Sequence, residues 1–186
     1  MHTPETTPIG RDAVIAALIQ AAAEEFSERG YESSSIRAIA RRARVNHGQV
    51  HRHFGSKAQL LAAVLADLAK KVTRDLETRS RTDAVRADST RLLLRVLARA
   101  LLDGADVAGD AQHPVMDWAV AHAATRTGAD PATVRVAVAQ SMALELGWLL
   151  FEPFLVAAAG LTDAEAGTAR EGIQAIQRRL TDLDPS

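Results

Sequence analysis

The feature that most restricts the fold of this chain is the spacing of its apolar residues. They recur three and four positions apart in segment after segment and nowhere alternate at every second position. Intervals of three and four place side chains on one face of an α-helix, whereas a half-buried strand needs a period of two. β-branched residues are sparse and aromatic residues make up only 4% of the 186 positions, which leaves strands little support. The expectation is an all-α protein of about nine helices.

Ile15, Ile19, Ala22 and Phe26 form the stripe of a first helix from Arg11 to Glu28, with Gly30 at its left-handed end. Ser56 and Gln59 make a capping box that opens a long helix to about Arg79, with Leu61, Leu65, Leu68, Val72 and Leu76 facing inward. Polar residues 80–88 read as a joint, a helix from Ser89 to Leu102 follows, and a loop runs from Gly104 to Gln112. His113 before Pro114 and Asp130 before Pro131 are helix starts with proline in the first position. The helix from Pro131 carries Val134, Val138, Met142, Leu146 and Leu149, and is expected to kink or end at Pro153, which lacks an amide donor. The last helix opens on the capping box of Thr162 and Glu165 and continues with Ala166, Ala169, Ile173, Ile176 and Leu180. The broad apolar faces of these last two helices suggest a self-association surface.

Charge is the second constraint. The whole chain carries a net −1 at pH 7, which by itself argues against a polyanionic partner. The average conceals an asymmetry. Between Ser33 and Ala66 there is no Asp or Glu, while Arg37, Arg41, Arg42, Arg44, Arg52 and Lys57 supply six positive charges, leaving −7 for the rest. One short segment is therefore suited to a polyanion and the remainder is not.

Within that segment, Ser34 or Ser35 caps a short helix whose inner face is Ile36, Ile39, Ala40 and Ala43. Val45 plugs a corner, and Asn46 caps a second short helix with Val50 and Phe54 facing inward. Arg41, Arg42, Arg44, His47, Gln49, His51, Arg52 and His53 point outward, a set of donors without a carboxylate. Two short helices across a tight turn are the geometry that lays the second helix in the DNA major groove. The basic residues would pair with phosphates, and Gln49 or His47 would read base edges.

Residues from about Arg11 to Val64 resemble the N-terminal signature of the TetR family of regulators. The matching features are the paired hydroxyls Ser34 and Ser35, Ile39-Ala40, the closing aromatic Phe54 and Ser56-Lys57. The resemblance implies a three-helix helix-turn-helix DNA-binding domain over residues 1–55 and a larger helical effector-binding and dimerisation domain over 56–186. It also implies a homodimer joined through about Pro131–Glu152 and Asp163–Leu180, bound to a palindromic double-stranded operator. Such a regulator is expected to be a repressor released by a small apolar or amphipathic effector. Ser35, His51 and Lys57 would hold phosphates, and Arg37, His47, Gly48 and Gln49 would lie at or near base edges. Ser34, Arg44, Asn46, Arg52 and His53 complete the expected DNA-binding set. Three positions depart from the signature: Arg44 stands where a turn glycine is usual, His51 where a tyrosine is usual, and Ala38 where an acidic residue often completes a capping box. A histidine at 51 keeps a polar head and can gain charge in mild acid, making binding sensitive to pH.

With no cysteines, disulfides, thiolate metal sites and cysteine nucleophiles are excluded. No apolar run is read as reaching the roughly 18 residues of a membrane span, and Met1–Gly10 lacks a signal-peptide pattern. The expectation is a cytoplasmic protein with no membrane contact, no cofactor and no enzymatic activity. In the larger domain, Met116, Trp118, His122, Met142, Glu145, Trp148, Phe151 and Phe154 are candidates to line an effector cavity, the alternative being ordinary core. Glu145 and Glu152 would hydrogen-bond a ligand or pair across a dimer. A rival reading makes His113, Asp117 and His122 the centre of a metal-dependent helical enzyme, and His47 with His51 and His53 is a weaker metal candidate. A third keeps the DNA-binding dimer and dispenses with a small ligand.

Overall fold

The structure, a computed structural model, describes residues 8–78, 83–107 and 113–182. Eight α-helices and no strand occur among the described residues, one helix fewer than expected. The chain divides into two compact units, Met1–Ala111 and Gln112–Ser186.

The first unit is built around α1 (Arg11–Arg29), which packs against α2 (Ile36–Arg42), α3 (Gly48–Phe54), α4 (Lys57–Thr78) and α5 (Asp83–Leu102). Leu18 and Phe26 of α1, Ile39 of α2, Val50 of α3, Leu60 and Val64 of α4 and Val96 of α5 are all completely buried. Full burial of each such side chain contributes about 1.5–3 kcal/mol. The inner stripe of α1 differs from the expected one. Leu18, Ala22 and Phe26 form it, and Ile15 and Ile19 sit half-buried at its edge. The small residues Ala21, Ala22 and Ala23 let the neighbouring helices approach closely.

Capping follows the sequence signals with one shift. The Ser35 hydroxyl accepts from the Ala38 amide at 3.1 Å at the start of α2. Asn46 Oδ1 accepts from the Gly48 amide at 2.8 Å, so Asn46 serves α3 from just ahead of its first turn. At the end of α3, Gly55 takes φ 75, and a Cβ there would strike the Gln59 side chain. Only glycine fits that corner. Helix α5 begins at Asp83 rather than Ser89, so the expected joint at 80–88 is mostly helix; positions 79–82 lie outside the described residues. The expected loop to Gln112 is described only as far as residue 107.

The second unit contains α6 (Pro114–Thr127), α7 (Pro131–Ala159) and α8 (Asp163–Asp182), with α7 packed against both others. Asp130 caps α7 by accepting from the Ala132 and Thr133 amides at 3.0 and 3.2 Å. Its N-terminal half buries Val134 and Val138 against Ala123 of α6, with Met116, Ala119 and Val120 packed around them. Thr162 and Glu165 form the expected box at the start of α8: the Glu165 carboxylate accepts from the Thr162 amide at 2.8 Å and its hydroxyl at 2.7 Å. Ala166 is buried, Ala169 and Ile173 are half-buried and Ile176 is exposed, while the side chain of Leu180 lies outside the described residues.

Of the two outcomes expected at Pro153, a kink or an end, the end does not occur: the helix runs on to a left-handed Gly160 (φ 66). A proline forfeits one backbone hydrogen bond, and the apolar helix formers on both sides retain the rest. A second expectation about α7 is corrected: the helix is long and apolar enough, by length and composition, to cross a membrane, with a mean hydropathy of 1.6 in its most apolar window. Isolated glutamates at 145 and 152 break the run to the eye, yet the apolar residues around them keep the average this high.

Candidate nucleic-acid interface

The acid-free segment folds into α2, the corner and α3, which α1 and α4 support from behind. Ile39, Ala40, Ala43 and Val50 are buried, and Val45 and Phe54 are half-buried, so the inner face is as the spacing predicts. The corner hinges on Arg44, the sole non-glycine residue with positive φ (57) among the described residues. Its backbone thus adopts the left-handed conformation that explains glycine at such turns.

Burying the apolar face turns a polar one outward. Ser35, Arg37, Arg44, Asn46, His47, Gly48, His51 and Arg52 are exposed, Gln49 and His53 are half-buried, and Ser34 is buried. A recess between α2, α3 and the start of α4 is lined by Ser35, Arg37, His47, His51 and Lys57, with Ser34 at its base. A second, on the far side of α3, is lined by Arg11 and Val14 of α1 and by Gln49, Arg52 and His53. Neither contains a carboxylate. Ser34 does not cap α2: its hydroxyl donates to the Gly30 carbonyl at 2.5 Å, fixing the α1–α2 loop.

Two basic residues have structural work that spacing did not indicate. Arg42 turns away from the polar face and pairs with Glu24, Glu25 and Glu28 of α1, at 3.7, 3.7 and 2.6 Å. The Arg42 hydrogen bond holds the Glu28 carboxyl below its usual range, and the same bond raises Arg42. Arg42 therefore leaves the outward donor set. Lys57 Nζ donates to the carbonyls of Tyr31, Glu32 and Ser34 at 2.9, 3.3 and 3.2 Å and lies 4.3 Å from the centre of the Tyr31 ring. An ammonium has three protons to donate, and these contacts occupy them. From the opposite direction, Asp103 accepts from the Glu32 amide at 2.9 Å. Neither Tyr31 nor Asp103 was indicated by the sequence. An aromatic close to a lysine is the only signal Tyr31 offers, and Asp103 is 71 positions from its partner.

The ligand-binding candidates in the second unit lie in different environments. Met116 packs into the α6–α7 core. Trp118 stacks on His122, with ring centres 4.8 Å apart. Met142, Glu145 and Trp148 are half-buried, Trp148 Nε1 being buried without a hydrogen-bond partner among the described residues, and Phe151 and Phe154 are exposed. Glu152 pairs with Arg170 of α8 within the chain. Among the described residues no three histidine or carboxylate side chains converge as a metal site would require, so His113, Asp117 and His122 are not brought together, nor are His47, His51 and His53.

A short helix capped on a left-handed corner, with an exposed face of cations and amides, defines a helix-turn-helix DNA-binding regulator. A family model described as bacterial regulatory proteins, tetR family, matches residues 18–64. The chain is 42% identical over 179 residues to the HTH-type transcriptional repressor Rv3405c of Mycobacterium tuberculosis, covering 96% of this chain and 93% of that protein. It is 31% identical over 109 residues to the A-factor receptor protein of Streptomyces griseus, covering 55% of this chain and 39% of that one. The fatty acid degradation regulator FadR from Bacillus halodurans shares the fold, with a TM-score of 0.52 at 13% identity over 89% of this chain and 97% of that one. The chain belongs to the TetR family of transcriptional regulators.

Proposed function

We propose that the protein is a homodimeric repressor that places two copies of α3 against a palindromic operator and is released by a small apolar or amphipathic effector. The observation that carries this reading is the acid-free polar face around α3, aimed outward by buried Ile39 and Val50. Ser35, His51 and Arg52 contact phosphates, and Arg37, His47, Gly48 and Gln49 meet base edges. Asn46 and Arg44 fix the corner, with His53 at the rim. Lys57 acts by holding the α1–α2 loop, so its contribution to DNA binding is positional. Residues 1–55 act as the DNA-binding domain, and residues 56–186 as the domain that dimerises and senses.

Dimerisation through α7 and α8 is supported by apolar side chains left uncovered on them: Val136 (58% exposed), Phe151 (56%), Phe154 (67%) and Ile176 (48%). Covering such a patch is the usual reason for one. This assigns Phe151 and Phe154 to association and leaves Met142, Glu145 and Trp148 as the better effector contacts, with the unpartnered Trp148 N–H as a donor. The effector shifts the balance between two spacings of the DNA-binding heads by binding one of them better. The protein acts in the cytoplasm, beside its DNA.

The reading is tested by selecting fragments of the source organism's genomic DNA with purified protein. Enrichment of a few fragments sharing an inverted repeat is the expected result, and recovery of no sequence above background overturns it.

A further inference from the structure

His51 occupies a position where two hydrogen-bond constraints meet. Its Nδ1 lies 3.1 Å from the Gly55 carbonyl at the α3–α4 corner. A carbonyl only accepts, so Nδ1 must carry a proton. The neutral ring has one N–H, which leaves Nε2 with a bare lone pair. The side chain is exposed, lines the recess beside α2 and makes no other hydrogen bond among the described residues. A phosphate oxygen is also only an acceptor. Neutral His51, with this tautomer fixed by Gly55, therefore presents a lone pair to a lone pair, and only the imidazolium can donate to both Gly55 and DNA.

We propose that His51 is a proton-gated phosphate clamp, so that DNA affinity rises as pH falls. The inference rests on the reading of this face as a DNA interface. The charged and titratable groups facing His51 in the recess are Arg37 from α2, His47 from α3 and Lys57 from α4, with no carboxylate. A bound phosphate diester favours the charged ring, so the proton is taken up together with DNA. The sign follows from linkage: the complex favours the protonated ring more than the free protein does, so affinity gains as pH falls and is lost as pH rises through the titration of the complex. Histidine is the side chain that changes charge between about pH 5 and 8, the range in which such a gate operates.

The test is anisotropy of a labelled mixed-sequence duplex about three helical turns long, since phosphate contacts are independent of sequence. Measurements run from pH 8 to pH 6 at constant ionic strength. The unaltered protein is expected to gain about tenfold in affinity over that range, which corresponds to an average uptake of about half a proton per complex. His51→Tyr and His51→Gln, which donate from neutral groups, are expected to lose that gain. Both are to be matched to the unaltered protein by circular dichroism. His53→Gln is expected to keep the gain whatever its absolute affinity. An equal gain in both His51 variants overturns the gate while leaving the DNA-binding reading intact. Absence of binding by the unaltered protein at every pH overturns the DNA-binding reading itself.

Discussion

Arg44 shows how one backbone angle constrains the recognition corner. A non-glycine residue at φ 57 costs on the order of 1 kcal/mol, and the corner cannot close without it. Arg44→Gly is expected to stabilise the protein by about 1 kcal/mol, seen as a higher denaturant midpoint with an unchanged m-value, and to weaken DNA binding through loss of a cation. Lys57 behaves in the opposite sense. Its ammonium bonds three carbonyls and covers the Tyr31 ring, so Lys57→Ala is expected to cost about 1–3 kcal/mol, read in the same denaturation experiment. The strain at Arg44 was legible through the family resemblance, which puts a glycine at that turn. The clamp at Lys57 and the salt bridges of Arg42 were not, because their partners are main-chain carbonyls 23 to 26 residues away and glutamates on another helix. An arginine or lysine in an acid-free run looks free until folding brings distant acceptors to it.

At the scale of helices, boundaries marked by a local cap were the most legible. Proline after His113 and Asp130 marked the starts of α6 and α7, and the Thr162–Glu165 box marked that of α8, each by a local hydrogen-bond requirement. The start of α5 was missed because tertiary packing overrides polar composition, and of the two outcomes expected at Pro153 the helix does not take the one that ends it. The α8 box has a pH signature. The Thr162 amide and hydroxyl hold the Glu165 carboxyl below its ordinary value of 4.5. A carboxyl depressed in the folded state stabilises above its unfolded value and loses that contribution as pH falls through its folded one. Stability of the α8 start is thus expected to fade only below about pH 4.5, monitored by amide exchange of residues 163–166. Glu165→Gln should remove that dependence, and Thr162→Ala should cost about 1 kcal/mol at neutral pH.

For the whole molecule, the proposed function divides the labour between a face that meets DNA and an apolar face that meets a second copy. Phe151 and Phe154 are more than half exposed on α7, in a stretch apolar enough to pass for a membrane span. Replacing both by aspartate is expected to yield monomers by sedimentation and to lower DNA affinity by at least tenfold, because two heads no longer bind as one. The outward polar face of α2 and α3 was legible because their buried and exposed positions are set by local periodicity. The effector candidates were not separable from core, because apolar residues at helical spacing look in sequence like core residues such as Met116.

If the face of α3 neutralises DNA phosphates, the salt dependence of duplex affinity reports it, for the unaltered protein and for Arg52→Ala. The unaltered protein is predicted to lose affinity linearly on a log–log scale, and Arg52→Ala to bind more weakly with a slope shallower by about one. An identical slope in the two proteins, or affinity indifferent to salt, would contradict the account.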